Sequence, residues 1–129
     1  MSEPAKTTVL YADDDATLRY VTKEMLEALG FSVLLAADGA EVLSKWREGV
    51  RFDLLLVDLF MPGMSGAEVI KGLQQEGCSA PAVLCTGDQL SDQQAIDMGA
   101  RAMLAKPYRL RELGAIIRRC LDDGNTSRR

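Results

Sequence analysis

Five positions in this sequence carry side chains of the types that do chemistry. They are the acidic pair Asp13 and Asp14, the single Asp58 at the end of an apolar run, Thr86 at the end of a second and Lys106 at the end of a third. Asp15 extends the first group to three adjacent carboxylates. Two like charges about 4 Å apart repel by roughly 4 kcal/mol at an effective dielectric near 20. Converging carboxylates therefore call for a hard, oxygen-preferring cation, most simply Mg2+. That ion keeps several waters and takes one or two carboxylates together with phosphate oxygens, so the site predicts a phosphoryl ligand. Lys106 would neutralise the ligand's remaining charge, and the Thr86 hydroxyl and Gly87 amide would hydrogen-bond its oxygens.

The chain contains no histidine. Ser-His-Asp and Cys-His catalysis, histidine-ligated zinc and a self-carried phosphohistidine are thereby excluded. Cys78, Cys85 and Cys120 lie inside apolar stretches without C-x-x-C spacing and read as buried thiols. The nucleophile is then a carboxylate, and the product an aspartyl phosphate. Asp58 is the better candidate, because it stands alone after "DLLLV" and before the stiff turn "MPGMSG". Asp13 and Asp14 would hold the metal, whereas Asp15 reads as a solvated residue or helix cap.

These residues need a frame that brings them together. Apolar runs begin at Thr8, Ser32, Asp53, Ala82 and Ala102, and most lack polar alternation, which predicts strands buried on both faces of a parallel sheet. Helical spacing fills the intervals. Leu18, Val21, Met25, Leu26 and Leu29 form one stripe, with Gly30 as its stop. Asp38 with Glu41, and Ser65 with Glu68, have capping-box spacing at two further helix starts. A short polar helix is predicted near Leu90 to Met98, and a last stripe runs from Leu110 to Cys120. The order is β-α five times over, an open α/β sheet with helices on both faces. In such sheets the carboxyl ends of neighbouring strands line a common crevice, where residues distant in sequence meet.

With 129 residues, 47% of them apolar, the chain suits one domain. The expected division is an N-terminal extension over 1–7, the domain over 8–121 and a flexible polar tail over 122–129. A formal charge of -4, from 15 basic and 19 acidic residues mixed along the chain, offers no basic stripe for nucleic acid and no polybasic membrane patch. No apolar run approaches the roughly 18 residues of a membrane span, so the expected location is the cytoplasm.

The pair Asp13-Asp14, Asp58 within "LLLVDLFMPGMSG", Thr86 within "AVLCTG" and Lys106 within "AMLAKPY" together resemble the receiver domain of the two-component response regulators, over roughly Thr8 to Leu121. The resemblance implies a flavodoxin-like (βα)5 three-layer sandwich whose five-stranded parallel sheet has the order 2-1-3-4-5. It implies that Asp58 takes a phosphoryl group from a phosphohistidine on a histidine kinase or histidine phosphotransfer protein. Asp14 and Asp58 would ligate Mg2+ directly, Asp13 through water, and the Phe60 backbone carbonyl would complete the protein ligands. Lys106 would pair with the phosphoryl group and Thr86 would swing in to bond it, changing the surface of the fourth helix, fifth strand and fifth helix toward a downstream protein, a fused output domain or a second copy. Such a domain is a phosphoacceptor that assists its own phosphorylation and dephosphorylation, not an enzyme acting on a separate substrate.

Two positions depart from or vary within the family pattern. Many receivers place an aromatic switch residue three positions before the strand-5 lysine, where this chain has Met103. Phe60 occupies the variable position two past Asp58, where side chains in the family affect access of water to the phosphoryl group. Two other readings compete. "DDDAT" and "GDQLSD" resemble the nucleophile and metal motifs of haloacid-dehalogenase-like phosphatases, which leaves Asp58 unexplained and places Lys106 out of order. A receiver-like interaction module that works without phosphorylation is the second, and the intact set of five residues argues against it.

Overall fold

The computed structural model describes residues 6–126, with side chains as far as Asp122. Ten elements alternate as the apolar runs require: β1 (Thr8–Ala12), α1 (Ala16–Ala28), β2 (Ser32–Ala36), α2 (Gly39–Arg47), β3 (Leu54–Asp58), α3 (Gly66–Gln75), β4 (Ala82–Thr86), α4 (Asp92–Asp97), β5 (Ala102–Ala105) and α5 (Leu110–Thr126). All strand pairs are parallel, in the order β2-β1-β3-β4-β5. Each strand but the last must therefore be followed by a crossover, and helices α1 to α4 supply it.

Alternation along each strand splits the core into two layers. Leu10, Leu55, Val57 and Leu84 face Val42, Val69, Ile70 and Ala95 of α2, α3 and α4. Val9, Tyr11, Leu54, Leu56 and Val83 face Leu26 of α1 and Leu113, Ile117 and Cys120 of α5. The result is the expected three-layer flavodoxin-like sandwich. All five residues of β3 and of β4 are buried. Fully burying a leucine stabilises by about 1.5–3 kcal/mol, so these central strands hold the frame on which the site sits.

The sheet edges depart from the expectation of strands buried on both faces. Four of the five β2 residues are only half-buried, and Ala105 of β5 is exposed. Each of these strands has a neighbour on one side only, which leaves its outer flank to solvent.

Helix ends follow local chemistry. Asp15 caps α1, its carboxylate accepting from the Leu18 amide, and Gly30 follows that helix with φ +96°. Ser65 and Glu68 form a reciprocal capping box at α3. The predicted box at α2 forms by half: Asp38 accepts from the Glu41 amide, but the Glu41 carboxylate reaches past the cap to the Ala37 amide. Asp38 is fully extended there (φ -160°, ψ 176°), and its neighbour's amide takes the bond instead. A third box, Ser91 with Gln94, starts α4 and escaped the sequence reading. Helix α5 continues to Thr126, through part of the segment expected as a tail. Residues 127–129 and most of the expected N-terminal extension lie outside the described residues.

Candidate phosphoacceptor site

The five chemistry-bearing residues meet at the carboxyl edge of the sheet. β1 ends one residue before Asp13, β3 ends on Asp58, β4 on Thr86, and Lys106 follows β5. Neighbouring strands hold them in register: Asp58 pairs with Cys85, Thr86 with Ala105, and the Lys106 amide donates to the Thr86 carbonyl at 2.9 Å. One carboxylate oxygen each from Asp13, Asp14 and Asp58 lies within 4.8 Å of the others.

Asp13 is buried and heavily bonded. Its Oδ1 accepts from the Asp15 amide at 2.9 Å. Its Oδ2 accepts from the Tyr11 hydroxyl at 2.7 Å and from Lys106 Nζ at 2.9 Å. The Arg19 guanidinium donates to its backbone carbonyl at 2.6 Å. Asp58 is also buried, with Lys106 Nζ 3.2 Å from Oδ2 and the Phe60 amide 3.4 Å from Oδ1. Asp14 is exposed, so one of the three carboxylates stays open to incoming ions.

Electrostatics separate the two buried acids. Burial would push Asp13 up, but the Asp15 amide, Lys106 and Tyr11 outweigh it and hold the carboxyl below its usual range. Burial dominates at Asp58, opposed by Lys106 and reinforced by the negative charge of Asp13, and its pKa is raised. Burial would also lower Lys106, yet its bonds to both aspartates keep it firmly protonated, above its ordinary value. Lys106 thus bridges the pair and offsets part of their repulsion. The remaining negative charge, with an exposed third carboxylate, fits one hard divalent cation held by oxygen ligands.

The loops after β3 and β4 are shaped around this pocket. A Cβ at Gly66 would lie 2.5 Å from the Asp58 carbonyl, so the turn after β3 can fold back against the strand only with glycine there. Thr86 is buried, and its Oγ1 accepts from the Asp88 amide at 3.0 Å. A Cβ at Gly87 would meet nothing within 4 Å. Phe60 projects next to Asp58 with 60% exposure. Met103 is half-buried against the layer of α2, α3 and α4.

The rival motifs have ordinary places. Asp15 is a helix cap, the Asp88 amide closes a turn on Thr86, Ser91 caps α4, Asp92 begins that helix, and Lys71 is exposed on α3. Cys78, Cys85 and Cys120 are all buried as expected, and burial pushes the Cys85 thiol up, away from reactivity.

Four residues were missed by the sequence reading: Tyr11, Arg19, Thr22 and Tyr108. The Thr22 hydroxyl lies 2.6 Å from that of Tyr108, which lies 3.3 Å from that of Tyr11. A signal did exist for Tyr11. Tyr11 lies on β1 two residues before Asp13, which follows directly on the strand's end, and side chains two apart along extended backbone share a face.

The parallel sheet of order β2-β1-β3-β4-β5, with an acidic pocket at its switch point, defines a flavodoxin-like domain. The model of the family described as the response regulator receiver domain matches residues 9–118. This chain therefore belongs to the response regulator receiver domain family, a component of two-component systems. It is 37% identical over 115 residues to the transcriptional regulatory protein CpxR of Escherichia coli K12, covering 88% of this chain and 48% of that protein. It is 38% identical to the response regulator MprA of Mycobacterium leprae, covering 88% and 50%. The chain spans about half the length of these curated relatives. Among solved structures, chemotaxis protein CheY4 of Vibrio cholerae is similar with a TM-score of 0.82 and 31% identity, covering 91% of this chain and 100% of that one. A CheY-like receiver domain protein of Methanospirillum hungatei gives a TM-score of 0.85 at 29% identity, covering 95% and 99%.

Proposed function

We propose that this receiver domain is a Mg2+-dependent phosphoacceptor in which Asp58 takes a phosphoryl group from a phosphohistidine on a histidine kinase or histidine phosphotransfer protein. The observation that carries this reading is the convergence of Asp13, Asp14 and Asp58, with Lys106 bridging the two buried members.

An Asp58 carboxylate oxygen attacks phosphorus, the P–N bond breaks, and the imidazole leaves with its electron pair and takes a proton. Asp14 and Asp58 would hold Mg2+ directly, Asp13 through water, and the Phe60 carbonyl would add a ligand. The bound ion supplies charge neutralisation on the phosphoryl oxygens. Lys106 is already 3.2 Å from the acceptor carboxylate and needs little movement to pair with the group attached there. The Gly87 amide would bond a second oxygen. The work of the protein is positioning and charge compensation, as phosphoryl transfer requires.

Thr86 connects the reaction to the surface. Its hydroxyl oxygen holds the Asp88 amide, so turning it toward the phosphoryl group releases the loop before α4. Met103, lying beneath α4 in the same layer, would repack in place of the aromatic switch. The α4, β5 and α5 face, with Ile96 and Leu110 exposed, would then present a changed surface to a downstream protein, a fused output domain or a second copy. Among the described residues no helix is long and apolar enough to cross a membrane, and the reading places the domain in the cytoplasm.

Incubation with acetyl phosphate and Mg2+, read by intact mass, tests this. An adduct of about 80 Da is expected on the wild type and absent from Asp58→Asn or with EDTA. A wild type that gains no adduct would leave the interaction-module reading standing.

A further inference from the structure

Asp13 carries more hydrogen bonds than a metal-facing carboxylate needs. A buried carboxylate has its orientation fixed by its donors, and here one donor belongs to a row of hydroxyls. Tyr11 lies 2.7 Å from Asp13 Oδ2, Tyr108 lies 3.3 Å from Tyr11, and Thr22 lies 2.6 Å from Tyr108. The proton directions along this row follow from one constraint. An ionised carboxylate only accepts, so Tyr11 must donate to Asp13. Each hydroxyl has a single proton, so Tyr108 must donate to Tyr11 and Thr22 to Tyr108. All three O–H dipoles therefore run toward the buried acid, from α1, through the turn after β5, to β1.

Asp13 also depends on Lys106, and Lys106 is shared. Its Nζ lies 2.9 Å from Asp13 and 3.2 Å from Asp58. When Lys106 turns to a phosphoryl group on Asp58, its hold on Asp13 weakens at the stage when the metal pocket must stay intact. Tyr11 faces no such competition. It is fully buried between α1, α5 and the sheet, and its hydroxyl can stay on Asp13 throughout.

We propose that Tyr11 is a positioning residue that fixes the Asp13 carboxylate for the divalent cation, itself oriented through Tyr108 by Thr22. This rests on the reading of the pocket as a Mg2+-dependent phosphoacceptor site. Partners that orient metal-binding groups typically matter by 10–100-fold in affinity.

The test is equilibrium binding of Mg2+ alone, followed by backbone amide NMR shifts in the wild type, Tyr11→Phe, Tyr108→Phe and Thr22→Val. Phenylalanine and valine keep the buried shape while removing the hydroxyl. Tyr11→Phe is expected to weaken Mg2+ binding ~10-fold. Tyr108→Phe and Thr22→Val are expected to weaken it less, in the same direction, and the Tyr11→Phe effect should vanish in an Asp13→Ala background. Wild-type affinity in Tyr11→Phe would overturn the proposal whatever happens to the melting temperature, as would an effect that persists without Asp13. If Tyr11→Phe does not fold, the other two variants decide, and unchanged affinity in both overturns it. A wild type that binds no Mg2+ would remove the phosphoacceptor reading as well, which separates the two failures.

Discussion

Asp58 and Asp13 are chemically identical residues given opposite tendencies by their surroundings. Asp13 accepts from three donors and is held below the ordinary carboxylate range despite burial. Asp58 has weaker partners and is raised by burial and by the neighbouring charge. An acid whose folded pKa lies above its unfolded value costs stability wherever it is ionised in the fold, and that cost fades as pH falls through the raised value. Asp58→Asn removes the charge and keeps the shape. In EDTA at neutral pH it is expected to melt above the wild type, with the gap narrowing as pH falls through the raised Asp58 value toward the ordinary 3.8. The opposite tendency of Asp13 is present in both proteins and largely cancels. A gap that stays constant or widens in acid would show that the Asp58 charge is not what destabilises the pocket. In the proposed function, bound Mg2+ would offset the repulsion that the Asn variant lacks.

At the scale of elements, the triplet of aspartates resolves into separate tasks. Asp13 and Asp14 leave β1 toward the pocket, whereas the Asp15 side chain turns to cap α1 through the Leu18 amide at 3.1 Å. Only the Asp15 backbone serves the pocket, through its bond to Asp13. Asp15→Ala keeps that amide and loses the cap, worth about 1 kcal/mol. It is expected to lower the melting temperature while leaving Mg2+-dependent phosphorylation by acetyl phosphate nearly unchanged, where Asp14→Ala abolishes it. Equal loss of phosphorylation in both would move Asp15 into the site. Continuous apolar runs ending in polar residues made the buried parallel strands and their common crevice legible, whereas the strand order came from the family resemblance. The sequence was less informative where one residue type fits two places. Tyr11 inside "TVLYA" reads as core, which it also is, and its hydroxyl partners come from positions 13 and 108. Ser91 and Gln94 lay in a polar stretch that hid a capping box. The spacing of Asp38 and Glu41 predicted a reciprocal bond that the extended backbone redirected to Ala37. The length of α5 was legible only to its last apolar residue, since a helix can run on through polar positions without a periodic stripe.

At the scale of the whole molecule, the proposed reaction at one edge of the sheet would have to reach a surface that a partner reads. The two layers differ in what they can transmit. α1 and α5 pack on the sheet through fully buried Leu26, Leu113, Ile117 and Cys120, which resist rearrangement because close-packed cores respond to small volume changes. On the other side α4 is a single helix of six residues with one buried side chain, Ala95. Shallow packing of this kind lowers the cost of a shift, as local opening favours elements with few buried apolar groups. Thr86 lies at the head of the loop leading to α4 and holds that loop by its bond to Asp88. Phosphorylation is therefore expected to change amide exchange and backbone shifts chiefly from Gly87 to Ala105, leaving α2 and the start of α3 nearly as they were. Thr86→Ala separates reaction from response: Asp58 should still accept the phosphoryl group from acetyl phosphate, while the changes over α4 and β5 shrink or disappear. Propagation that survives the loss of the Thr86 hydroxyl would mean that the signal leaves the pocket by another route, through Lys106 and the turn that carries Tyr108.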